Sequence, residues 1–279
     1  MENYGVHDGP GKQGSLSFKL MHLIYVVIAL ILVIASIFAY MAFFVPHTAT
    51  AQIGNGWAFL PTVQPLVVNG KIYMAFIGAE FCEYCAVERF AVFSALSNFG
   101  NWTYYGKTVT TNTLPVYNTT NATEPQNDAL FFKAAEGDWT INFLNPHLQY
   151  SSSFVDFSSV EVLNNAYNPL QQMNALQSSY ANKYDPSGAV PFIVIGGNFY
   201  IVGPGKSLAP NGVPIIFDPA HVGYPPSYII GQINQTGSPI NVAFNTEVDY
   251  MSAILCHQLN NAPHVCSTPS ISAIEAKIK

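Results

Sequence analysis

The stretch IYMAFIGAEFCEYC, residues 72–85, decides how the folded part of this chain is built. It begins with a continuous apolar run, which predicts a buried β-strand, and it ends with Cys82 and Cys85. Beyond Cys85, apolar residues recur at the spacing of one helical face up to Gly100, so we expect a helix that starts at the cysteines. Free N–H groups and the dipole at a helix N-terminus stabilise a thiolate. The pattern therefore predicts thiol–disulfide chemistry, in which an exposed Cys82 attacks and Cys85 resolves the mixed disulfide.

A long uncharged segment precedes this stretch. Residues 20–45 contain no Asp, Glu, Lys or Arg, and at about 1.5 Å per helical residue they cross a hydrocarbon core of about 30 Å. Two lysines lie before the segment and none follows it until Lys71, which predicts a cytoplasmic N-terminus. We therefore expect a leader over residues 1–19, one helix in the lipid bilayer over residues 20–45, and an extracytoplasmic remainder. A signal peptide cleaved at Ala49-Thr50-Ala51 is the alternative.

The composition excludes one class of partner. Charged residues make up only 9% of the chain, the formal net charge is −6, and there is no basic cluster. Proteins that bind nucleic acids need a basic surface, so nucleic acid is not an expected partner. The 49% of hydrophobic and 14% of aromatic residues predict a compact folded domain rather than a disordered chain.

Two further features suit an exported domain. All four cysteines follow the predicted span, and an even number of cysteines in an oxidising compartment favours disulfides. Asn-X-Thr sequons accept a glycan only on an exported face. Four of them begin at Asn101, Asn118, Asn121 and Asn234, which are therefore candidate glycosylation sites.

The distribution of turn residues predicts the domain organisation. Residues 46–65 carry no charge and several prolines and glycines, so we expect a tether there. The folded domain is expected over residues 66–267, with a β-rich insertion over about residues 101–167, and residues 268–279 are expected to be a C-terminal tail.

Further elements follow the insertion. Asn168-Pro169 is typical of a helix N-cap with proline at the first helical position. Residues 190–203 predict a β-hairpin, and a last helix is expected to begin at Thr246. Glu88 and Arg89 are expected on the solvated face of the helix that follows Cys85.

The order of these elements resembles the thioredoxin fold: strand, cysteine pair, helix, later helix, proline-led strand, hairpin partner and terminal helix. Ala79-Glu80-Phe81 before the first cysteine is similar to the Ala-Glu-Trp stretch of that fold. The resemblance implies a cis-proline at Val190-Pro191, with backbone polar groups that bind a substrate strand beside the cysteines. It implies an α/β chain with a thioredoxin-like domain. Together with the residue patterns above, we expect this domain to carry a β-rich insertion between the cysteine helix and the proline-led hairpin, and to be preceded by one transmembrane helix.

More narrowly, the chain is similar to an archaeal family known as domain of unknown function 929. The similar motifs are FIGAEFCEYCAVERF at residues 76–90, KYDPSGAVPF at residues 183–192, and the ending from Cys256 to Cys266. The resemblance covers roughly residues 60–266. Because the family has no assigned activity, the resemblance implies membership and no function.

Three neighbours of the cysteines are candidates for tuning their redox behaviour: Glu80, Glu83 and Tyr84. An ionised Glu83 raises a thiol pKa and so opposes the helix terminus. Thioredoxins also carry a buried acid six residues before the first cysteine, and Phe76 stands there in this chain. The missing acid weighs against turnover as a thioredoxin-like reductant, and the expected extracytoplasmic location favours disulfide formation, so we expect oxidation or isomerisation.

The second cysteine pair admits two readings. Cys256, at the end of the last helix, and Cys266, beyond a loop, are expected to form a structural disulfide. The alternative is a zinc site that also recruits Cys82 and Cys85, but nine residues between the distal cysteines are unlike a zinc ribbon. We expect no metal and no cofactor.

The leading hypothesis is a membrane-anchored extracytoplasmic thiol–disulfide oxidoreductase, an oxidase or isomerase that uses Cys82 and Cys85. Its partners would be protein thiols or disulfides outside the membrane, and a membrane redox partner is compatible with this role. Two alternatives stay open. One is a cell-surface binding protein in which the cysteine pair braces the same scaffold, and the other is a copper or haem-thiol delivery protein that uses the reduced cysteines as soft ligands.

Overall fold

The structure is a computed structural model, and it describes residues 23–31, 33, 50–114, 130–134, 139–216 and 225–278. Within the predicted membrane span, residues 23–31 and 33 are helical, and the rest of the span lies outside the described residues. Over the ranges just given, no helix has the length and apolar content that a bilayer span requires. The sequons at Asn118 and Asn121 also lie outside the described residues.

The compact unit that contains the cysteines begins at Ala49 and alternates strands with helices. Its strands are β1 (Ala51–Gly54), β2 (Trp57–Phe59), β3 (Val67–Val68), β4 (Lys71–Gly78), β5 (Asn101–Tyr104), β6 (Lys107–Val109), β7 (Phe131–Lys133), β8 (Trp139–Ile141), β9 (Leu148–Ser151), β10 (Val155–Glu161), β11 (Phe192–Ile195) and β12 (Phe199–Val202). Its α-helices are α1 (Glu83–Ser97), α2 (Ala175–Tyr184), α3 (Pro226–Asn234), α4 (Pro239–Gln258) and α5 (Pro269–Glu275). Short 3₁₀ helices cover Pro210–Gly212 and His264–Ser267.

A seven-stranded mixed sheet is the centre of this unit, with strand order β1-β2-β12-β11-β4-β10 and β3 paired to the start of β4. β10 runs parallel to β4, whereas β11 runs antiparallel to β4 and to β12. Ile77 lies opposite Val160 on one side and opposite Phe192 on the other. Strand, helix α1 and strand β10 thus form a crossover from the centre of the sheet to its edge.

Both faces of β4 are covered, which explains its continuous apolar run. Met74 and Phe76 pack into the larger core, which includes α1 and α4. Tyr73, Ala75 and Ile77 pack into a smaller core on the opposite face, together with Ala181 of α2. A strand buried on both faces cannot alternate apolar and polar residues, so its sequence is uniformly apolar.

The region expected as a tether is partly folded. Residues 50–65 contain β1 and β2, and Trp57 of β2 is completely buried. β2 pairs with the hairpin strand β12, so these residues extend the central sheet. Similarly, the described part of the predicted insertion over residues 101–167 contains six strands, but its last strand, β10, belongs to the central sheet.

The predicted helix start at Asn168-Pro169 is wrong. Pro169 forms an isolated bridge with Leu163, and the Gln171 N–H donates to the Glu161 carbonyl, so this segment is extended along the edge of β10. The helix begins later, at Ala175, where Asn174 and Gln177 form a reciprocal capping box. The unpaired edge of a strand competes with helix formation for the same backbone groups, which the local pattern does not reveal.

The C-terminal elements are also longer than predicted. The last long helix starts at Pro239, seven residues before Thr246, because the Ser238 hydroxyl caps it by accepting from the Asn241 N–H. The expected tail over residues 268–279 contains α5, whose Ile271 packs into the main core. By contrast, the predicted hairpin over residues 190–203 is confirmed by β11 and β12.

Helix α1 has no solvated face at Glu88 and Arg89, so that expectation is wrong. Both side chains are completely buried. Each is held by polar groups that come from distant parts of the chain.

Two buried glutamates, Glu88 on α1 and Glu247 on α4, lie against the same glycine, Gly205. The Gly205 N–H donates to Glu88 Oε2 at 3.2 Å, and a Cβ at Gly205 would lie only 1.7 Å from Glu247 Oε2. Trp57 Nε1 donates to Glu247 Oε1 at 2.8 Å, and Asn55 Nδ2 donates to Glu247 Oε2. This carboxyl cluster fixes the loop after β12, and only glycine fits at its centre.

The carboxyl cluster predicts a contribution to the stability of the domain that is largest in acid. Burial raises the pKa of Glu247 to about 8, and burial together with the facing Glu247 charge raises the pKa of Glu88 well above its ordinary value. A carboxyl with a raised pKa in the folded state contributes stability that is complete below about pH 4.5 and is lost as the pH rises through about 8. We therefore expect the free energy of unfolding to fall across this window, by up to about 1.4 kcal/mol per pH unit for each proton.

Urea denaturation at a series of pH values measures this effect. Glu247→Gln keeps an acceptor for Trp57 but cannot ionise, so its stability should fall less steeply with pH than that of the wild type. Asp156→Asn, which removes a half-buried acid outside the carboxyl cluster, should keep the wild-type slope. A wild-type stability that is constant or rises between about pH 5 and 8 would contradict the prediction.

Candidate functional site

The two cysteines lie at the N-terminus of α1, as the spacing predicts. Cys82 is the N-cap residue with extended backbone angles (φ −80°, ψ 114°), and its sulfur accepts the Cys85 N–H at 3.0 Å. Both residues are free thiols. The Cys82 sulfur is therefore the group that satisfies an otherwise unpaired N–H of the first turn, in the way a serine or aspartate does at other N-caps.

The two sulfurs have opposite pKa shifts. A hydrogen bond from the Cys85 thiol lowers the pKa of Cys82, and the Cys85 N–H and the Arg89 charge act in the same direction against burial. Burial raises the pKa of Cys85 well above its ordinary value, and the bonded, charged Cys82 raises it further. Cys82 is thus the thiolate-forming member of the pair and Cys85 is the protonated member, which is the division of roles that thiol–disulfide exchange requires.

Strand β11 brings the proline-led segment against the pair. The Val190–Pro191 peptide bond is cis, and the Cys82 thiol donates to the Val190 carbonyl with a distance of 3.6 Å between sulfur and oxygen. Because β11 pairs directly with β4, the start of β11 lies next to the end of β4, where the cysteines begin. The structure therefore brings Cys82, Cys85 and Val190 together, although they are far apart in sequence.

Cys82 is not exposed in the way that its predicted attacking role suggests. Only 5% of the residue is accessible to solvent. The Val190 carbonyl occupies one side of the sulfur and the Cys85 N–H another. Val190, whose carbonyl contacts the sulfur, is itself only half-buried.

The neighbours that the sequence marks for tuning have separate positions. Glu80 is buried, and its N–H donates to the Leu163 carbonyl. Glu83 is half-buried in the first turn of α1, where a carboxylate interacts favourably with the helix dipole. The Tyr84 hydroxyl donates to the Gly212 carbonyl at 2.7 Å, which ties the loop after β12 to the cysteine turn.

An aromatic contact beside the pair was not predicted. The Tyr167 ring lies 4.2 Å from the Phe81 ring, centroid to centroid, and 58% of Tyr167 is exposed. Tyr167 also has a positive φ of 61°, an uncommon conformation for a residue other than glycine. No local sequence signal marks this tyrosine, because its contact with Phe81 depends on how the segment after β10 crosses the sheet edge.

A buried ion pair lies behind the cysteines. Arg89 Nε donates to Glu161 Oε1 at 2.8 Å, and Arg89 Nη2 donates to Glu161 Oε2 at 2.6 Å. Arg89 Nη2 also donates to the Ala79 carbonyl at 2.9 Å. Sequence reasoning missed this pair because Glu161 follows Arg89 by 72 positions. The available signal was that Arg89 is the only arginine in the chain and stands one helical turn after Cys85.

Comparison with known proteins identifies a family. The family model described as Domain of unknown function (DUF929) matches residues 61–257. The chain belongs to this family. Searches of curated proteins and of solved structures gave no match. The matched range includes Cys82, Cys85, Glu161 and Pro191, so the whole site described above lies within the DUF929 domain.

The second cysteine pair of the DUF929 chain is a disulfide. Cys256 and Cys266 are bonded with a Cα–Cα distance of 5.5 Å, and both are buried. The bond joins the last turn of α4 to the 3₁₀ helix before α5. It occupies both distal cysteines that the alternative four-cysteine zinc site would need.

The two described sequons of the DUF929 domain differ in their surroundings. Asn101 is exposed at the first position of β5. Asn234 is exposed at the last position of α3, where its Nδ2 lies 3.4 Å from the Thr111 carbonyl. The side-chain amide of Asn101 is therefore less obstructed than that of Asn234.

Loss of the Cys256–Cys266 bridge should destabilise the domain without changing the reactive pair. The bridge closes a loop with a sequence separation of 10, so replacing both cysteines by serine should lower the free energy of unfolding by about 2–3 kcal/mol. Urea denaturation of the full chain measures this loss. The pH at which Cys82 becomes alkylated by iodoacetamide should not change, and a large change would contradict the separation of the two pairs.

Proposed function

We propose that this protein is a membrane-anchored, extracytoplasmic thiol–disulfide oxidoreductase, with a thioredoxin-like fold. The observation that carries the proposal is the position of the Cys82 sulfur. It is the N-cap acceptor of α1, it receives the Cys85 N–H at 3.0 Å, and it lies beside the Val190 carbonyl at 3.6 Å. This arrangement favours a thiolate at Cys82 with a second thiol within reach.

The order of strands supports the proposed fold. Strands β10, β4, β11 and β12 are neighbours in that order, with β10 parallel to β4 and the other two pairs antiparallel. The cysteine helix α1 connects β4 to β10 through the β5–β9 region, α2 precedes β11, and α4 follows β12. Apart from β10, these are the elements, in the same order, that the sequence resemblance to thioredoxin-like proteins implies.

In the oxidising direction the reaction starts from a Cys82–Cys85 disulfide. A substrate thiolate attacks Cys82 Sγ, a mixed disulfide with Cys82 forms, and Cys85 leaves as a thiolate and takes up a proton. A second substrate thiolate attacks the substrate sulfur of the mixed disulfide, so that the substrate leaves as a disulfide and Cys82 as a thiolate. Two electrons pass from the substrate to the cysteine pair, and a partner disulfide must take them up to restore the starting state.

In the isomerising direction the dithiol is the starting state. The Cys82 thiolate attacks a substrate disulfide, forms a mixed disulfide and releases one substrate thiolate. That thiolate attacks a second disulfide of the substrate, which forms a new pairing and releases another substrate thiolate. The second thiolate attacks the substrate sulfur of the mixed disulfide and returns Cys82 as a thiolate, with no net transfer of electrons. In both directions the Val190 carbonyl is positioned to accept a backbone N–H of an extended substrate segment in place of the Cys82 thiol.

Equilibration with glutathione tests the proposal. The full chain is incubated at defined ratios of reduced to oxidised glutathione, quenched, and labelled with a mass-tagged maleimide. Cys82 and Cys85 should be oxidised together, so that each chain has either both residues as free thiols or neither. Cys85→Ser should retain a glutathione mixed disulfide on Cys82, because the resolving thiol is absent, whereas Cys82→Ser should retain none on Cys85, which is fully buried.

The variant Cys256→Ser/Cys266→Ser is the matched control and should show the same exchange. The proposal fails if the pair stays in one state across the whole range of glutathione ratios while Cys85→Ser traps no adduct.

One observation favours a second candidate function. The low exposure of Cys82 is what a brace inside a cell-surface binding protein would show. In that case Cys82 and Cys85 stay permanently in one state, either as a disulfide or as two thiols. Mutation of both cysteines then lowers the free energy of unfolding, and there is no exchange activity to lose. The glutathione experiment separates the two candidates, because only the oxidoreductase gives a trapped adduct on Cys82.

A further inference from the structure

The buried pair of Arg89 and Glu161 is connected to the cysteines through the backbone. Arg89 follows Cys85 by four residues on α1, so the two side chains lie on the same helix face, one turn apart. The Ala79 carbonyl accepts both Arg89 Nη2, at 2.9 Å, and the Cys82 N–H, at 3.2 Å. One acceptor therefore links the guanidinium to the backbone of the attacking cysteine.

The surroundings of the ion pair contain little that screens its charges. Arg89 is completely buried, and Glu161 is 1% exposed. Among the described residues, Arg89 Nη1 has no hydrogen-bond partner. The guanidinium instead lies 5.6 Å from the ring centroid of Phe76 and 5.1 Å from that of Phe132. In such a site a charge acts over several ångströms with little attenuation.

We propose that the Arg89–Glu161 pair is a positioning unit that sets the reactivity of Cys82. This inference rests on the proposed oxidoreductase function and names what tunes it. Arg89 supplies a fixed positive charge one turn behind the cysteines, and Glu161 offsets part of that charge and holds the guanidinium in place.

The charges around Cys82 support this assignment. The groups that act on its pKa are Cys85 and Arg89 from α1 and Glu161 from β10. Arg89 lowers the pKa of Cys82, and Glu161 raises it by less. The ion pair therefore presents a net positive potential to the sulfur.

Opposite effects of two substitutions distinguish tuning from simple structural support. Arg89→Gln removes the positive charge, so the pKa of Cys82 should rise and its thiolate fraction at neutral pH should fall. Glu161→Gln keeps the shape and an oxygen acceptor for Arg89 but leaves the positive charge uncompensated, so the pKa of Cys82 should fall. A merely structural pair would lose stability in both variants without moving the pKa in opposite directions.

The measurement is the pH dependence of iodoacetamide alkylation at Cys82 in the full chain, read by mass spectrometry. Far-ultraviolet circular dichroism first checks that each variant is folded. Arg89→Lys keeps the charge and should give a pKa close to that of the wild type even if it is less stable. Glu88→Gln, which removes the neighbouring buried acid of the carboxyl cluster, is the matched control and should also leave the pKa of Cys82 unchanged.

The glutathione ratio at half-oxidation gives a second readout. Because a stabilised thiolate favours the dithiol, Arg89→Gln should shift the balance towards the disulfide, and Glu161→Gln should shift it towards the dithiol. The inference is overturned if folded Arg89→Gln and Glu161→Gln move the pKa of Cys82 in the same direction or not at all. If Arg89→Gln and Glu161→Gln both fail to fold, the test is Arg89→Lys. A large change in the pKa of Cys82 in that variant overturns the inference, and an unchanged pKa supports it.

These outcomes are separable from failure of the proposed function. If the pKa of Cys82 moves as expected but the pair never exchanges with glutathione, the tuning unit stands and the oxidoreductase is rejected. If the pair exchanges in every variant with an unchanged pKa and an unchanged glutathione ratio, the oxidoreductase stands and the tuning unit is rejected.

Discussion

The ion pair between Arg89 and Glu161 is the interaction on which the arrangement of the site depends. It joins α1 to β10, the edge strand of the central sheet, and through the Ala79 carbonyl it also holds the turn that leads into the cysteines. Burying two ions costs several kcal/mol for each, and their attraction offsets this cost only when the geometry is good and further hydrogen bonds are made. A bidentate pair with an added carbonyl acceptor meets both conditions. The ion pair therefore fixes the positions of α1, β10 and the turn before Cys82 relative to one another.

The two consecutive residues Glu88 and Arg89 hold α1 on two sides. Neighbouring positions on a helix point about 100° apart, so the two side chains reach different partners. Glu88 meets Gly205 in the loop after β12, and Arg89 meets Glu161 on β10. The same loop returns to the cysteine turn, where Gly212 accepts the Tyr84 hydroxyl. A helix surrounded in this way needs no polar face towards solvent. Its buried charged residues instead bind groups on neighbouring elements of the fold.

Local patterns predicted the elements nearest to the cysteines well. The run that forms β4 and the hairpin of β11 and β12 depend on short-range signals, namely apolar continuity and a three-residue turn over residues 196–198, in which Gly196 and Gly197 both have positive φ. The pairing of Cys256 with Cys266 was predicted for the same reason, since a short loop brings them together.

Patterns that depend on distant partners were not predictable from one sequence. A Glu-Arg dipeptide on a helix is usually solvated, and the partners of the buried side chains, Gly205 for Glu88 and Glu161 for Arg89, lie far along the chain. The segment at Asn168-Pro169 has a helix signal, but the open edge of β10 offers its backbone a strand-like alternative. In each case a tertiary contact outweighed the local preference.

The two cysteine pairs show how position decides the chemistry of the same side chain. Cys256 and Cys266 are buried in the main apolar core, where a thiolate is disfavoured, so neither sulfur can readily attack or leave once the bridge is formed. Cys82 is also largely buried, but it faces the N–H groups of a helix terminus and a net positive charge from Arg89, which stabilise its thiolate. Burial alone therefore does not make a cysteine inert. The hydrogen-bond donors and the positive charge around Cys82 lower the pKa of its thiol despite burial, whereas burial raises the pKa of Cys85.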